Sequence, residues 1–234
     1  MLAPVRAVIF DLDDTLFDHG GSVRTALTTW LPQVPAADLP QLTRAWFDLE
    51  HVHYESWRAG HISFDEQRRR RIRDFWLHLG RQLAPHDDLD SLFASYLTHY
   101  EHAWQAFDDA RPALVELNGL GFLTAVLTNG STAQQNAKVD RIGLRARLCA
   151  VITSEELGVA KPDPRCYLSA CEQLGVEPSQ ALHVGDRDDL DVLSARAAGL
   201  QAVHLDRSAG RDDNSEQHLT SLRDLPAHLA TTAP

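Results

Sequence analysis

The chain has 234 residues, of which 44% are apolar and 24% charged, so it is long enough for one large domain or for a domain with an inserted module. Its formal net charge of −11 argues against a broad nucleic-acid-binding surface, which requires a basic face. Its apolar runs fall short of the roughly 20 residues that a membrane helix needs, and its first residues lack a signal-peptide cleavage site. We therefore expect a cytoplasmic protein without a nucleic-acid or membrane partner, and the sequence leaves its oligomeric state open.

Short apolar runs recur along the chain and predict strands. Continuous runs of this length are typical of strands that are buried on both faces, as in parallel sheets. The runs are residues 5–10, 122–128, 149–153, 181–184 and 201–205. From the second run onward, helical patterns alternate with the strands, with proline near the start of some helices and glycine just past their ends. This alternation predicts an α/β fold with a doubly wound, Rossmann-like parallel sheet.

The interval between the first two runs breaks the alternation, because it contains helical patterns and no convincing strand. A capping box, Ser63 to Glu66, marks the start of one of its helices. Apolar and aromatic stripes at helical spacing are more often the core of a bundle than a ligand site. We predict a helical bundle inserted as a cap over residues 18–105, with residues 1–17 and 106–234 forming the α/β core.

Polar side chains follow the first four predicted strands, and ligands of open α/β sheets bind at the carboxyl ends of the strands. In chain order these residues are Asp11, Asp13, Asp14, Thr15, Thr128, Asn129, Lys161, Asp186, Asp188, Asp189 and Asp191. Each group alone is compatible with turn chemistry or with a helix N-terminus. Four such groups in order, each after a predicted strand, favour a shared site.

The chemistry of this set suits phosphate transfer. Clustered carboxylates repel one another and need a cation, and oxygen ligands of this kind suit magnesium. The metal lets an anionic phosphate approach an aspartate and neutralises charge that develops during transfer. One aspartate can then attack phosphorus, and a second carboxylate two residues away can move the protons.

Four segments carry a resemblance to a known family. FDLDDTL, VLTNG, GVAKPDP and HVGDRDDLD resemble, in this order, the four motifs of the haloacid dehalogenase-like (HAD) hydrolase superfamily, and the insert resembles the helical cap that follows the first motif. The resemblance implies that Asp11 is the nucleophile and Asp13 the general acid/base. It implies that Thr128 and Asn129 bind the phosphoryl group, and that Lys161 pairs with the nucleophile and with phosphoryl oxygens.

The same resemblance implies a Mg²⁺ site. Asp186 would bind the metal together with the carboxylate of Asp11 and the backbone carbonyl of Asp13. Asp191 falls where the family often has a second acidic residue that supports the metal or the lysine. Its competitors for this supporting role are Asp188 and Asp189.

The favoured function is a magnesium-dependent phosphatase that hydrolyses a small phosphorylated metabolite through an aspartyl-phosphate on Asp11. A haloacid dehalogenase is the alternative within the family, since it also uses this aspartate, but dehalogenases usually lack the second aspartate, here Asp13. A phospho-receiver signalling domain is the alternative from another class, although its phosphate-accepting aspartate follows a middle strand. The substrate and the cap residues that select it stay open.

The chain contains only two lysines, Lys138 and Lys161. A lysine is a compact point charge, whereas arginine is a wide planar fork. A crowded site therefore explains why Lys161 is not an arginine. Lys138 is equally rare and is expected on an exposed helix, so rarity alone does not assign a role to Lys161.

Overall fold

The computed structural model describes residues 4–84, 88–207 and 218–232. The chain forms two compact units. The first, which we call the core unit, consists of Met1–His19 and Trp104–Pro234, and the second, the insert unit, is Gly20–Ala103. Each of these boundaries lies two residues from the one expected from the sequence.

The insert unit is helical in its described residues. Its helices are α1 (His19–Trp30, whose first residue belongs to the core unit), α2 (Leu39–Arg58), α3 (Phe64–His78) and α4 (Leu89–His102). Helix α3 begins after Ser63 as predicted, and Ser63 Oγ accepts the backbone N–H of Glu66 at 3.1 Å. The Glu66 carboxylate, which the capping box would direct to the backbone of Ser63, instead accepts from Arg70 Nε at 2.8 Å. Trp46 forms the centre of the unit and packs against the rings of Phe75 and Tyr96, at centroid distances of 4.8 and 4.2 Å.

The two ends of the insert unit meet. Ser22, near the start of α1, donates a hydrogen bond from its Oγ to the backbone carbonyl of Ala103 at 3.1 Å. Ser22 is completely buried, so the unit closes on itself at the point where the chain enters and leaves it. Among the described residues, no helix has both the length and the apolar character needed to cross a membrane.

The core unit is built on a six-stranded parallel sheet in the order β3-β2-β1-β4-β5-β6. The strands are β1 (Ala7–Phe10), β2 (Leu123–Thr128), β3 (Ala150–Thr153), β4 (Ala181–Gly185), β5 (Gln201–Leu205) and β6 (His218–Leu219). The predicted doubly wound α/β fold and all five predicted strands are confirmed. The sequence did not predict β6, because two residues are too few to show a pattern.

Helices follow the strands of the core unit. They are α5 (Ala110–Gly119), α6 (Thr132–Arg141), α7 (Ser154–Leu157), α8 (Pro164–Leu174), α9 (Ser194–Ala197) and α10 (Leu225–Thr232), with a π-helical turn at Asp188–Leu193. Side-chain caps fix the starts of three of them. Ser131 Oγ accepts from Gln134 N before α6, Thr153 Oγ1 accepts from Glu156 N before α7, and Asp163 Oδ1 accepts from Arg165 N in the first turn of α8. Glycine at positive φ, Gly175, ends α8 as predicted.

The register of the central strand brings the strand ends to one edge of the sheet. Phe10, the last residue of β1, lies beside Val126 of β2 and Val184 of β4. Because the three strands run parallel, the residues that follow them emerge at the same level. The polar residues that follow β1, β2 and β4, as predicted from the sequence, are therefore neighbours in space.

An ion pair between a half-buried arginine and a buried aspartate anchors the loop that follows β1. The guanidinium of Arg207 binds both carboxylate oxygens of Asp109, at 3.0 and 2.9 Å, and donates to the backbone carbonyl of Thr15 at 2.7 Å. The same guanidinium lies 3.7 Å from the ring centroid of Phe107. Arg207 thus links the loop that contains Thr15 to Asp109 at the start of α5.

Candidate functional site

Lys161 lies at the centre of the polar strand ends. Its Nζ donates to Asp11 Oδ1 and to Asp191 Oδ1, both at 2.6 Å, and the residue is only 2% exposed. Burial alone would lower the pKa of Lys161, but the carboxylates of Asp11 and Asp191 outweigh it and raise the pKa well above the ordinary value. The side chain is therefore a permanent ammonium held between two carboxylates.

Three carboxylates share this space. Asp11, Asp186 and Asp191 each place an oxygen within 4.8 Å of the others. Burial raises the pKa of Asp11 and of Asp186, and the neighbouring carboxylates add to the effect even though Lys161 opposes it. One ammonium thus leaves the cluster short of positive charge, and its oxygen ligands are those that a hard divalent cation takes. A metal ion fits the residues present.

Asp191 is the most fully occupied member of the cluster. Its Oδ1 also accepts from His183 Nε2 at 3.0 Å, and its Oδ2 accepts the backbone N–H of Arg187 at 3.1 Å. Burial would raise the pKa of Asp191, but Lys161 and His183 together bring it below the ordinary value. With these partners taken, Asp191 is placed to hold the lysine, while Asp11 and Asp186 keep more freedom to bind a cation.

The competing acids of the same turn point elsewhere. Asp188 and Asp189 are both exposed, and Asp189 pairs with the guanidinium of Arg187 through contacts of 3.1 Å. Of the three acids that the sequence left open for the supporting role, Asp191 is the one in contact with Lys161.

Gly185 makes the position of Asp191 possible. A Cβ at residue 185 would lie 2.3 Å from Asp191 Cγ, a distance that no pair of non-bonded carbons tolerates. We expect Gly185→Ala to displace Asp191, to lower the free energy of unfolding by about 1–3 kcal/mol and to reduce catalytic turnover at least about tenfold.

The matched control is Gly119→Ala, because a Cβ at Gly119 of α5 meets no atom within 4 Å. The measurements are thermal unfolding and steady-state turnover of both variants. Equal Tm and turnover for Gly185→Ala and the wild-type protein would show that Asp191 can move without consequence.

Asp13 is held apart from the carboxylate cluster. Lys138 Nζ donates to its Oδ1 at 2.5 Å, and Gln135 Nε2 donates to its Oδ2 at 3.1 Å. Burial would raise the pKa of Asp13, but Lys138, with a contribution from His19, lowers it below the ordinary value. Both carboxyl oxygens of Asp13 are thus engaged by donors from one helix.

The expectation that Lys138 lies on an exposed helix surface is wrong. Lys138 is 5% exposed, and its Nζ lies 4.8 Å from the ring centroid of Phe17. It occupies α6, and the helix turns this residue toward the first motif rather than toward solvent. The sequence signal for this orientation is that Lys138 lies three residues after Gln135 and directly before Val139, so the three share the face of α6 that is buried.

Thr128, the last residue of β2, and Asn129, which follows it, bind different partners. Thr128 is 1% exposed, its Oγ1 accepts from Gln135 Nε2 at 2.7 Å, and its hydroxyl donates to the backbone carbonyl of Asn129 over a long 3.5 Å. Asn129 uses both ends of its amide on the backbone of Lys161: Nδ2 donates to the carbonyl at 2.9 Å and Oδ1 accepts the N–H at 2.8 Å. The side chain of Asn129 therefore positions the lysine loop, and any phosphate contact from this residue must come from its backbone.

His183 also escaped the sequence reasoning. It lies inside β4, in a run that predicts a buried strand, and it is completely buried. Burial lowers its pKa, so the neutral imidazole donates from Nε2 to Asp191. A histidine in an otherwise apolar run is the signal that marks it.

Known proteins resemble this chain over most of its length. Glyceraldehyde 3-phosphate phosphatase of Methanopyrus kandleri is 29% identical to this chain over 212 residues, which make up 89% of this chain and 87% of the relative. (S)-2-haloacid dehalogenase 1 of Pseudomonas sp. strain CBS-3 is 29% identical over 232 residues, or 97% of each chain. The relatives thus include both kinds of enzyme that the sequence left open.

A solved structure has the same fold. The HAD-hydrolase YfnB of Bacillus subtilis, solved bound to magnesium, matches 97% of this chain and 99% of its own with a TM-score of 0.80 at 20% identity. The sequence profile of the haloacid dehalogenase-like hydrolases matches residues 5–199. This range contains all four strand-end motifs and the whole insert unit, so the chain belongs to the haloacid dehalogenase-like hydrolase family.

Proposed function

We propose that this hydrolase is a magnesium-dependent phosphatase that cleaves small phosphomonoesters through an aspartyl-phosphate on Asp11. The observation that carries the proposal is the cluster of Asp11, Asp186 and Asp191, whose oxygens lie within 4.8 Å of one another around a single ammonium. Three carboxylates around one ammonium leave an excess of negative charge, which a bound divalent cation would offset before an anionic phosphate enters.

The carboxylates of Asp11 and Asp186 and the backbone carbonyl of Asp13 would hold the magnesium ion. Once bound, the ion supplies positive charge that offsets the carboxylates and the incoming phosphate. Asp191 contributes indirectly, since its oxygens already accept hydrogen bonds from Lys161, His183 and the backbone of Arg187. The binding of magnesium by YfnB, which has the same fold, supports this choice of metal.

The residues of this chain account for both steps of hydrolysis. In the first, a carboxylate oxygen of Asp11 attacks phosphorus, the ester P–O bond breaks, and the protonated form of Asp13 gives its proton to the leaving oxygen. The negative charge of a bound phosphate would supply that form, because it raises the pKa of Asp13 against the effect of Lys138. In the second, the Asp13 carboxylate takes a proton from water as the water oxygen attacks the phosphorus. The Asp11–phosphoryl bond then breaks, which releases inorganic phosphate and restores both aspartates.

Lys161 and Thr128 would hold the phosphoryl group during both steps. Lys161 Nζ already contacts the nucleophile at 2.6 Å, so it lies where a transferred phosphoryl oxygen would develop charge. The hydroxyl of Thr128 accepts from Gln135 and donates only over a long 3.5 Å to the carbonyl of Asn129, so a phosphoryl oxygen would be a better acceptor for its proton.

The presence of Asp13 and Asp186 favours phosphatase over dehalogenase chemistry. A dehalogenase needs no metal and no proton donor for its leaving group. In phosphate hydrolysis Asp186 would bind the metal, and Asp13 would protonate the leaving alkoxide. The similarity to a glyceraldehyde 3-phosphate phosphatase supports a small phosphorylated metabolite as the substrate. Membership of a hydrolase family sets aside the phospho-receiver alternative.

A single assay series tests the proposal. Purified protein treated with EDTA is assayed for phosphate release from p-nitrophenyl phosphate and a panel of phosphorylated metabolites, with and without added Mg²⁺. We expect turnover that depends on Mg²⁺ and a preference, in kcat/KM, for one class of small phosphomonoester. Halide release from 2-chloropropionate without phosphate release from any substrate would instead establish the dehalogenase. The similarity to (S)-2-haloacid dehalogenase 1 is the observation that supports this alternative outcome.

A further inference from the structure

Two residues of α6 bind the carboxyl group of Asp13, and neither belongs to the four strand-end motifs. Gln135 and Lys138 are three residues apart and therefore share one face of the helix. Lys138 Nζ contacts Asp13 Oδ1 at 2.5 Å, and Gln135 Nε2 contacts Asp13 Oδ2 at 3.1 Å. Each carboxyl oxygen thus has its own donor from the same helix.

The surroundings fix both donors in place. The ammonium of Lys138 lies over the ring of Phe17, at 4.8 Å from its centroid, and the residue is 5% exposed. Gln135 is 2% exposed and reaches Asp13 across Gly130, where a Cβ would come within 3.3 Å of the glutamine side chain. Gly130 also has a φ of +141°, which a side chain would disfavour. The chain therefore leaves room at Gly130 for the glutamine to pass.

We propose that Lys138 and Gln135 are positioning residues that hold the carboxyl group of Asp13 in the orientation required for proton transfer to the leaving oxygen. This inference rests on the proposed phosphatase function. A carboxyl group that is bound at both oxygens cannot rotate toward the nearby cation site. Lys138 acts through Asp13 and does not touch the substrate.

The test compares Lys138→Met with the wild-type protein on two substrates. An alkyl phosphate has a poor leaving group that needs a proton, whereas p-nitrophenolate leaves without one. We expect Lys138→Met to lower kcat for the alkyl phosphate by roughly 10²-fold or more, the usual contribution of general acid catalysis. KM should change less than about threefold, and the loss of kcat on p-nitrophenyl phosphate should be much smaller.

Two further variants serve as controls. Lys138→Arg, which keeps the charge, should recover part of the lost rate. The matched control is Arg141→Met, an exposed cation on the same helix, which should leave both rates unchanged.

A double-mutant cycle with Asp13→Asn decides whether Lys138 acts through Asp13. If it does, Asp13→Asn/Lys138→Met should be no slower than Asp13→Asn alone. The double variant lacks both charges, so it remains informative even if Lys138→Met does not fold. Equal losses on both substrates, or an added loss in the double variant, would overturn the inference while leaving the phosphatase proposal intact. Wild-type protein without any phosphatase turnover would instead overturn the proposed function, and this inference with it.

Discussion

Replacing Asp11 with asparagine is expected to abolish phosphatase turnover while the protein stays folded. An amide is a poor nucleophile, so the aspartyl-phosphate cannot form, and the loss of kcat should reach at least about 10⁴-fold, as for other enzymes that lose their nucleophile. The fold should survive because asparagine is nearly isosteric with aspartate. The amide also removes one of three crowded carboxylates whose oxygens lie within 4.8 Å of one another.

The measurement is a steady-state assay with a sensitive phosphate readout, combined with thermal unfolding of the same sample. Acid quenching of the wild-type protein during turnover should trap phosphate on the chain, and the variant should trap none. Asp163→Asn offers a matched control, since Asp163 is an aspartate at the start of α8 whose carboxylate binds only its neighbour Arg165 in the contacts that we observe. Substantial residual turnover in a folded Asp11→Asn variant would assign the nucleophile to another residue.

Replacing Lys161 with methionine is expected to damage both activity and stability. The change leaves Asp11 and Asp191 without the ammonium that each contacts at 2.6 Å. Breaking a buried pair in this way typically costs about 3–5 kcal/mol, which corresponds to a fall in Tm of roughly 10 °C for a chain of this size. The fall should be measured in EDTA, so that no cation replaces the lost charge.

The cost of losing Lys161 should depend on pH. Burial raises the pKa of Asp11 in the native protein, and the ammonium of Lys161 opposes this rise. In the variant the ammonium is gone, so the pKa of Asp11 rises further. A carboxyl group whose pKa is higher in the folded state than in the unfolded state loses stability as the pH rises through that interval. We therefore expect the difference in Tm between wild type and Lys161→Met to be larger at pH 8 than at pH 5. A difference that is constant with pH would show that lost packing, rather than lost charge, dominates.

Lys161→Arg tests why this position carries a lysine. Residue 161 is 2% exposed and lies between two carboxylates, so a planar fork has no space to enter without shifting its neighbours. We expect kcat to fall nearly as far as in Lys161→Met. Arg165→Met, at an exposed cation four residues away, should leave Tm and kcat unchanged. Turnover close to wild type in Lys161→Arg would refute the explanation by size.

The fold and the polar strand ends were predictable because they depend on local patterns. Apolar runs of four to seven residues mark strands that are buried on both faces, and most of these runs end in polar residues that cannot continue into an apolar core. Parallel strands then force these ends to one edge of the sheet. The contact of Lys161 with Asp11 follows from that topology, although 150 residues separate the two in the sequence.

What the sequence could not supply were the partners fixed by helix rotation and close packing. Whether Lys138 points to solvent or to Asp13 depends on how α6 is turned against the sheet, and the helix carries polar residues on several faces. Likewise, His183 lies in an apolar strand, and its link to Asp191 exists only because Gly185 lets the turn approach. These contacts are set by tertiary packing, which periodicity does not describe.

The hydrogen bond between Ser22 and Ala103 has a consequence for how this chain is assembled. The insert unit separates β1 from its neighbour β2 and makes that connection roughly fourfold longer, yet the entropic cost of closing a loop grows by only about 0.6 kcal/mol per doubling of its length. Because Ser22 and Ala103 bring the two ends of the insert together at 3.1 Å, a folded insert spans little more distance than a short turn would. An insert of different length or sequence with the same end-to-end spacing would leave the pairing of β1 and β2 undisturbed. The junction is therefore the natural place to exchange inserts between relatives while keeping one set of strand-end residues.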